Sequence, residues 1–180
     1  MVSVNFGNAR LNVNSNFEKK RFQIEEDSYN FEIVKIGDIF TQNKEYKDDK
    51  TGKMVMKETE NFVIEFKIDD DKLNVHLNEK GEQEDIVLYM YLTTKITQAT
   101  AKTASSKLYE LLDKAGLLKD VEKESALWST FDNPLELNKA FIKYLEDHLI
   151  KKRGKLMTRN SKDKKTNEIY SVVDKVTKFV

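Results

Sequence analysis

Residues 61–68 alternate without a break: Phe62, Ile64, Phe66 and Ile68 fall on one side, Val63, Glu65 and Lys67 on the other. Successive side chains of a strand point to opposite faces, so this run fits a strand buried on one face. Four other runs share the pattern. In 29–40, Phe31 and Ile33 alternate, and Ile36 and Ile39 break the alternation near Gly37, where a bulge would bend the strand. In 86–93, Ile86, Leu88, Met90 and Leu92 point inward, and Val87, Tyr89 and Tyr91 outward. Residues 154–159 make a fourth strand, and 168–179 a fifth carrying Ile169, Val172, Val173 and Val176. A short extra strand is expected at 73–77 from Leu73, Val75 and Leu77. Residues 41–60 are polar around Asp49-Lys-Thr-Gly and are expected to form a long hairpin tip.

Helical spacing occupies the stretch between the third and fourth strands. Residues 103–115 carry Leu108, Leu111 and Leu112, with Ser105 or Ser106 to cap the start and Gly116 to stop the end. A second helix is expected from Pro134, with Asn133 as cap, Glu136 as its reciprocal partner, and Leu137, Phe141, Ile142, Leu145 and Leu149 on its buried face. Residues 117–132 are expected to be irregular, with Trp128 in the core beside Leu127 and Phe131. Residues 1–28 are Asn-rich at the start and read as an arm or edge strand, Val2, Val4 and Phe6 alternating; Glu18 to Asp27 look like a charged surface connection. The domain proper is 29–180.

Composition narrows the classes. The chain has no cysteine, which excludes disulfides and thiolate metal sites. No apolar run approaches the roughly 18 residues of a membrane span, and the first residues lack the pattern of a signal peptide. A cytoplasmic setting without membrane partners is expected. The net charge of zero is unevenly distributed: from 151 to 180 ten cations face three anions, giving +7 and leaving −7 on residues 1–150. Such a basic segment suggests a polyanionic partner.

The order of elements, three strands, a helical insertion at 103–150 and two strands, is that of the OB-fold, a five-stranded Greek-key barrel. The expected fold class is therefore mainly β, α+β by content. The chain also resembles OB-fold single-stranded-DNA-binding proteins of phage and archaeal type. The likeness rests on the opening strand from Phe31 to Ile39, on Leu92-Thr-Thr with the later run Ser106 to Gly116, and on the final hairpin, Lys155 to Asn160 and Ile169 to Val173. It implies binding of single-stranded DNA, with RNA as a second option, with little sequence specificity, in replication, recombination or repair. The extra strand at 73–77 and the 117–150 insertion depart from the family pattern. The alternative is an OB-like subunit that docks a protein partner through 117–150.

Single-strand binding needs cations along the phosphates and aromatic faces for the bases. Tyr89 and Tyr91 are the expected platform, with Tyr46 and Tyr170 as further aromatics. The last loop carries Lys162, Lys164 and Lys165, flanked by Arg159 and preceded by Lys155. The first loop carries Lys44, Lys47, Lys50, Lys53 and Lys57, its field weakened by Glu45, Asp48, Asp49 and Glu58. No catalysis, cofactor or metal is expected. His76 and His148 stand at no metal-ligand spacing. Asp69-Asp70-Asp71 fits a solvated turn, and Asp49-Lys-Thr-Gly-Lys53 lacks the leading glycine and following helix of a phosphate loop.

Overall fold

A computed structural model describes residues 20–73, 76–128 and 130–180. Their elements are, in chain order, β1 (Ser28–Ile36), β2 (Phe40–Lys47), β3 (Met54–Ile68), β4 (His76–Leu77), β5 (Gln83–Glu84), β6 (Val87–Thr93), α1 (Lys107–Lys114), α2 (Leu118–Trp128), α3 (Pro134–Leu149), β7 (Arg153–Lys162) and β8 (Ile169–Phe179). The described chain is mostly β, with three helices.

One six-stranded sheet runs β2-β3-β1-β7-β8, and β6 also pairs with β3. Every pairing is antiparallel. The sheet does not close: β6 and β8 lie in contact, but no ladder joins them among the described residues. α1 packs against both of these edges, and α3 packs on β1. The alternating apolar positions explain this shape. Phe31, Ile33, Phe62, Ile64, Phe66, Leu88, Leu92 and Leu156 are all essentially inaccessible, and Leu108, Leu112, Phe141, Leu145 and Leu149 of the helices meet them in one core. Phe62 meets Phe141 edge to face at 6.0 Å, and Trp128, buried as expected, packs edge to face on Phe141 and Tyr144.

Several boundaries differ from the expectation. The bulge lies at Val34, where the β1–β3 register shifts between Ile33 and Lys35, and the chain then leaves the strand at 37–39. The long hairpin expected over 41–60 is paired along most of its length, from Phe40↔Asn61 to Lys47↔Met54, and closed by a turn over 48–53. The ladder is held by backbone bonds with little burial, so no hydrophobic period marks it. Residues 118–128 are helical where an irregular connection was expected. Only Val121 and Trp128 of α2 are buried, one residue every two turns, too sparse a stripe to read. Of the strand expected at 73–77, the described part reduces to His76–Leu77 paired with Gln83–Glu84; Asn74 and Val75 lie outside the described residues, as does the alternation of Val2, Val4 and Phe6.

Helix ends follow local chemistry. Ser106 caps α1, its hydroxyl accepting from the Tyr109 N–H, and Gly116 leaves it at φ 70°. Asn133 caps α3 through the Leu135 N–H, with Pro134 in the first turn. Tyr144 of α3 donates to Asp120 of α2 at 2.5 Å, which ties the two helices. After α3, Lys151 takes φ 67°, and its N–H donates to the Ile33 carbonyl at 2.8 Å. A left-handed backbone costs a residue with a Cβ about 1–2 kcal/mol. Lys151→Gly removes that cost, offset in part by glycine's larger loss of freedom. The expected result is a net gain of about 0.5–1 kcal/mol, a rise in melting temperature of roughly 1–4 °C for a chain of this size. A lower melting temperature would show that the Lys151 side chain contributes more than its backbone costs.

Candidate nucleic-acid interface

The outer face of β3 and β6 carries the first group of expected site residues. Tyr91 stands opposite Val63 and Tyr89 opposite Glu65, so both tyrosines project from the side away from Phe62, Ile64, Leu88 and Met90. Tyr91 is 46% exposed, and Tyr89 is half-buried. Burial raises both phenol pKa values; Glu65 and then Tyr91 add to the effect on Tyr89, and Tyr170 to that on Tyr91. α2 packs on α1 and α3, and α3 packs on β1.

Tyr170, near the start of β8, reaches the same region from the other edge of the sheet. Arg21 lies over its ring at 4.2 Å from the centroid and donates to Asp163 at 2.8 Å. Residues 20–27 were expected to be a charged surface connection. Instead they lie along β7 and β8: the Ser171 N–H donates to the Phe22 carbonyl at 2.7 Å, and the Thr158 N–H to that of Asp27 at 3.0 Å. Phe22 is buried and meets His76 edge to face at 5.2 Å. The sequence signal that could have found this is Phe22 and Ile24, two apolar residues spaced by two inside a charged run.

The basic hairpin between β7 and β8 is set by Asp163. Its carboxylate accepts from the N–H groups of Lys165 at 2.8 Å and Thr166 at 3.1 Å as well as from Arg21. The Arg21 bond first, and then the two backbone bonds, hold its pKa down at about 2. Lys162, Lys164 and Lys165 are exposed around it. Arg159, three residues before Lys162 on β7, pairs with Asp174 at 3.4 Å. Lys155 is not part of this group. Seven residues back along β7, roughly 23 Å of strand at about 3.3 Å each, it acts on Asp70 instead.

Tyr46 lies on β2, 45% exposed, with the Lys57 ammonium 5.9 Å from its ring centroid. Lys50 and Lys53 are exposed at the ribbon's turn, where Asp48 accepts from the Lys50 N–H. The structure therefore groups Tyr89, Tyr91 and Tyr170 with Arg21, places Lys162, Lys164 and Lys165 beside them through the Arg21–Asp163 bond, and sets Tyr46, Lys50 and Lys53 on a separate arm.

Asp69, Asp70 and Asp71 line a cavity of about 310 Å³ with Lys67, His76 and Glu84. Asp70 is committed to structure, accepting from the N–H groups of Asn30 at 2.8 Å and Lys72 at 3.1 Å. Among the described residues no group of three His, Asp or Glu side chains is placed to hold a metal ion, and no helix is long and apolar enough to cross a membrane. Comparisons with protein-family models, with curated proteins and with solved structures found no match for this chain.

Proposed function

We propose that this chain is an OB-type module that binds single-stranded DNA with little base specificity, serving replication, recombination or repair. The strand pairing supports the OB reading: β3 sits between β1 and β6, β1 joins β3 to β7, β8 follows β7, and α1 fills the gap between the two free edges. The observation that carries the binding reading is the exposed Tyr91 beside Tyr89 and Tyr170, with Arg21 and the Lys162–Lys164–Lys165 turn adjoining. Aromatic faces and cations side by side are what a base-stacked, phosphate-tracked strand requires.

Titration into fluorescent oligo(dT) at two salt concentrations tests this. Each phosphate contact to a single strand contributes about 0.7 to the salt slope. Replacing Lys162, Lys164 and Lys165 together by Ala is expected to weaken binding across sequences and flatten the slope by up to about 2. Unchanged affinity and slope would make the turn a solvated one. A second reading, protein docking through 117–150, is favoured by one observation: Leu127, Phe131 and Leu135 stand exposed around the α2–α3 connection. Oligo(dT) binding that fails at low salt leaves this reading in front.

A further inference from the structure

The β2–β3 ribbon places Lys44 and Lys57 on one face and Glu45 and Glu58 on the other. Residues directly opposite in an antiparallel pair share a face, and alternate residues along each strand keep it. Lys44 stands opposite Lys57, and Tyr46 opposite Val55, so Lys44, Lys57 and Tyr46 lie on one side; the 5.9 Å approach of Lys57 to Tyr46 agrees. Glu45, opposite Met56, and Glu58, opposite Asn43, lie on the other. Two of the acids set against this loop's field in the sequence, Glu45 and Glu58, are therefore turned away from Lys44 and Lys57, and Lys47 shares their side. The lysine side is continuous along β3, through Thr59 and Asn61, with the side that carries Val63 and, across the ladder, Tyr91.

Three more cations meet this side from other elements. Lys95, just past β6, has the Lys57 amine within hydrogen-bonding reach, which holds its pKa below the usual lysine range. Lys107 opens α1; desolvation first, then the positive charge of Arg159, and last that of Lys44, hold its pKa down against Asp174 and Glu110. Of those two acids, Asp174 is paired with Arg159 and Glu110 accepts from the Ser105 hydroxyl at 2.7 Å. Like charges directly opposite in a ladder are destabilising, and so is a lysine in the first turn of a helix, where the dipole is already positive. An anion seated among them relieves both.

We propose that Lys44, Lys57, Lys95, Lys107 and Arg159 line a phosphate-binding cleft between the β2–β3 ribbon and the start of α1, which holds the sugar-phosphate backbone as the strand leaves Tyr91. This rests on the single-strand reading for the identity of the polyanion, but not for the site. Five cations from five places in the chain, with one pairing acid among them, raise the local potential well beyond that of a mixed surface.

The test uses the full chain, the Lys95→Gln/Lys107→Gln variant and two probes, fluorescent oligo(dT) and inorganic tripolyphosphate, with the Lys44→Gln/Lys57→Gln variant for the opposite wall. Both variants remove like-charge repulsion, so melting temperatures are expected to hold or rise. Wild type is expected to bind both probes. Each variant is expected to bind oligo(dT) roughly tenfold more weakly, with a salt slope lower by about 1.4, and to lose most tripolyphosphate binding. Tripolyphosphate binding that depends on these lysines, without oligo(dT) binding, keeps the cleft and overturns the single-strand reading. Oligo(dT) binding that both variants retain in full overturns the cleft and leaves that reading standing. Wild type that binds neither probe overturns both.

Discussion

Gly154→Ala is expected to destabilise the fold by about 3 kcal/mol, the upper part of the range for forcing atoms into a packed interior. Gly154 is the second residue of β7, opposite Phe31 on one side and Phe179 on the other. A Cβ built there falls 2.0 Å from the Lys178 carbonyl oxygen and 2.9 Å from the Phe179 Cα. Both obstacles are backbone, so no side chain can rotate away. The β7–β8 register shifts immediately afterwards, between Lys155 and Leu156, and Phe179 meets the Phe31 ring edge to face at 5.8 Å. The missing side chain lets the end of β8 cross close over β7 and cover Phe31. Thermal unfolding is expected to show a fall of roughly 6–12 °C for a chain of this length. Gly37→Ala is the control: its Cβ meets nothing nearer than the Val63 carbonyl at 3.4 Å, and its expected cost is well under that of Gly154→Ala. Equal costs would refute the close approach at Gly154.

These two glycines mark how far the sequence could be read. Alternation located the cores of β1, β6 and β7 because each buries one face, and the second half of β3 through Phe62, Ile64, Phe66 and Ile68; β8 was marked by Val172, Val173 and Val176, which are buried on both faces, whereas Ile169 is exposed. The spacing of Leu108, Leu111 and Leu112 and of Leu137, Phe141, Leu145 and Leu149 located α1 and α3 through their buried faces. Gly37 drew the expectation of a bend, since Ile36 and Ile39 fall out of phase beside it. Phase reports that a strand ends or bulges, but the register of its partner decides where, and that placed the bulge at Val34. Elements with no buried period stayed hidden: β2 and the first half of β3 expose both faces, and α2 buries two residues. The site divides in the same way. That Tyr89 and Tyr91 face outward follows from Leu88, Met90 and Leu92 facing inward. That Tyr170 and Arg21 join Tyr91, or that Lys57 meets Lys95, depends on which distant elements the fold brings together, and local periodicity carries no trace of it.

Tyr91→Ala is expected to weaken oligo(dT) binding by about 1–3 kcal/mol, the value of one stacked base, or roughly 5- to 150-fold. Tyr91 is the ring to test first for three reasons. It is 46% exposed while Tyr89 is half-buried, so its truncation removes less packing. Tyr170 already has Arg21 over its ring at 4.2 Å, so a base must displace or share that guanidinium. Tyr91 also lies on the strand side that leads to the lysines of the ribbon, so a base stacked on it leaves its phosphates directed toward cations. The salt slope is expected to stay at the wild-type value, because no phosphate contact is lost. Tyr91→Phe separates stacking from hydrogen bonding: it keeps the ring and removes only the hydroxyl, so its affinity is expected to stay near wild type. Adding Tyr89→Ala to Tyr91→Ala is expected to deepen the loss by up to a second base's worth, about 1–3 kcal/mol more, together with a fall in melting temperature from the half-buried ring. If Tyr91→Ala binds as tightly as wild type, the bases do not stack on β6. If affinity and slope fall together, the ring acts by holding Arg21 in place, and the contact it supports is with a phosphate.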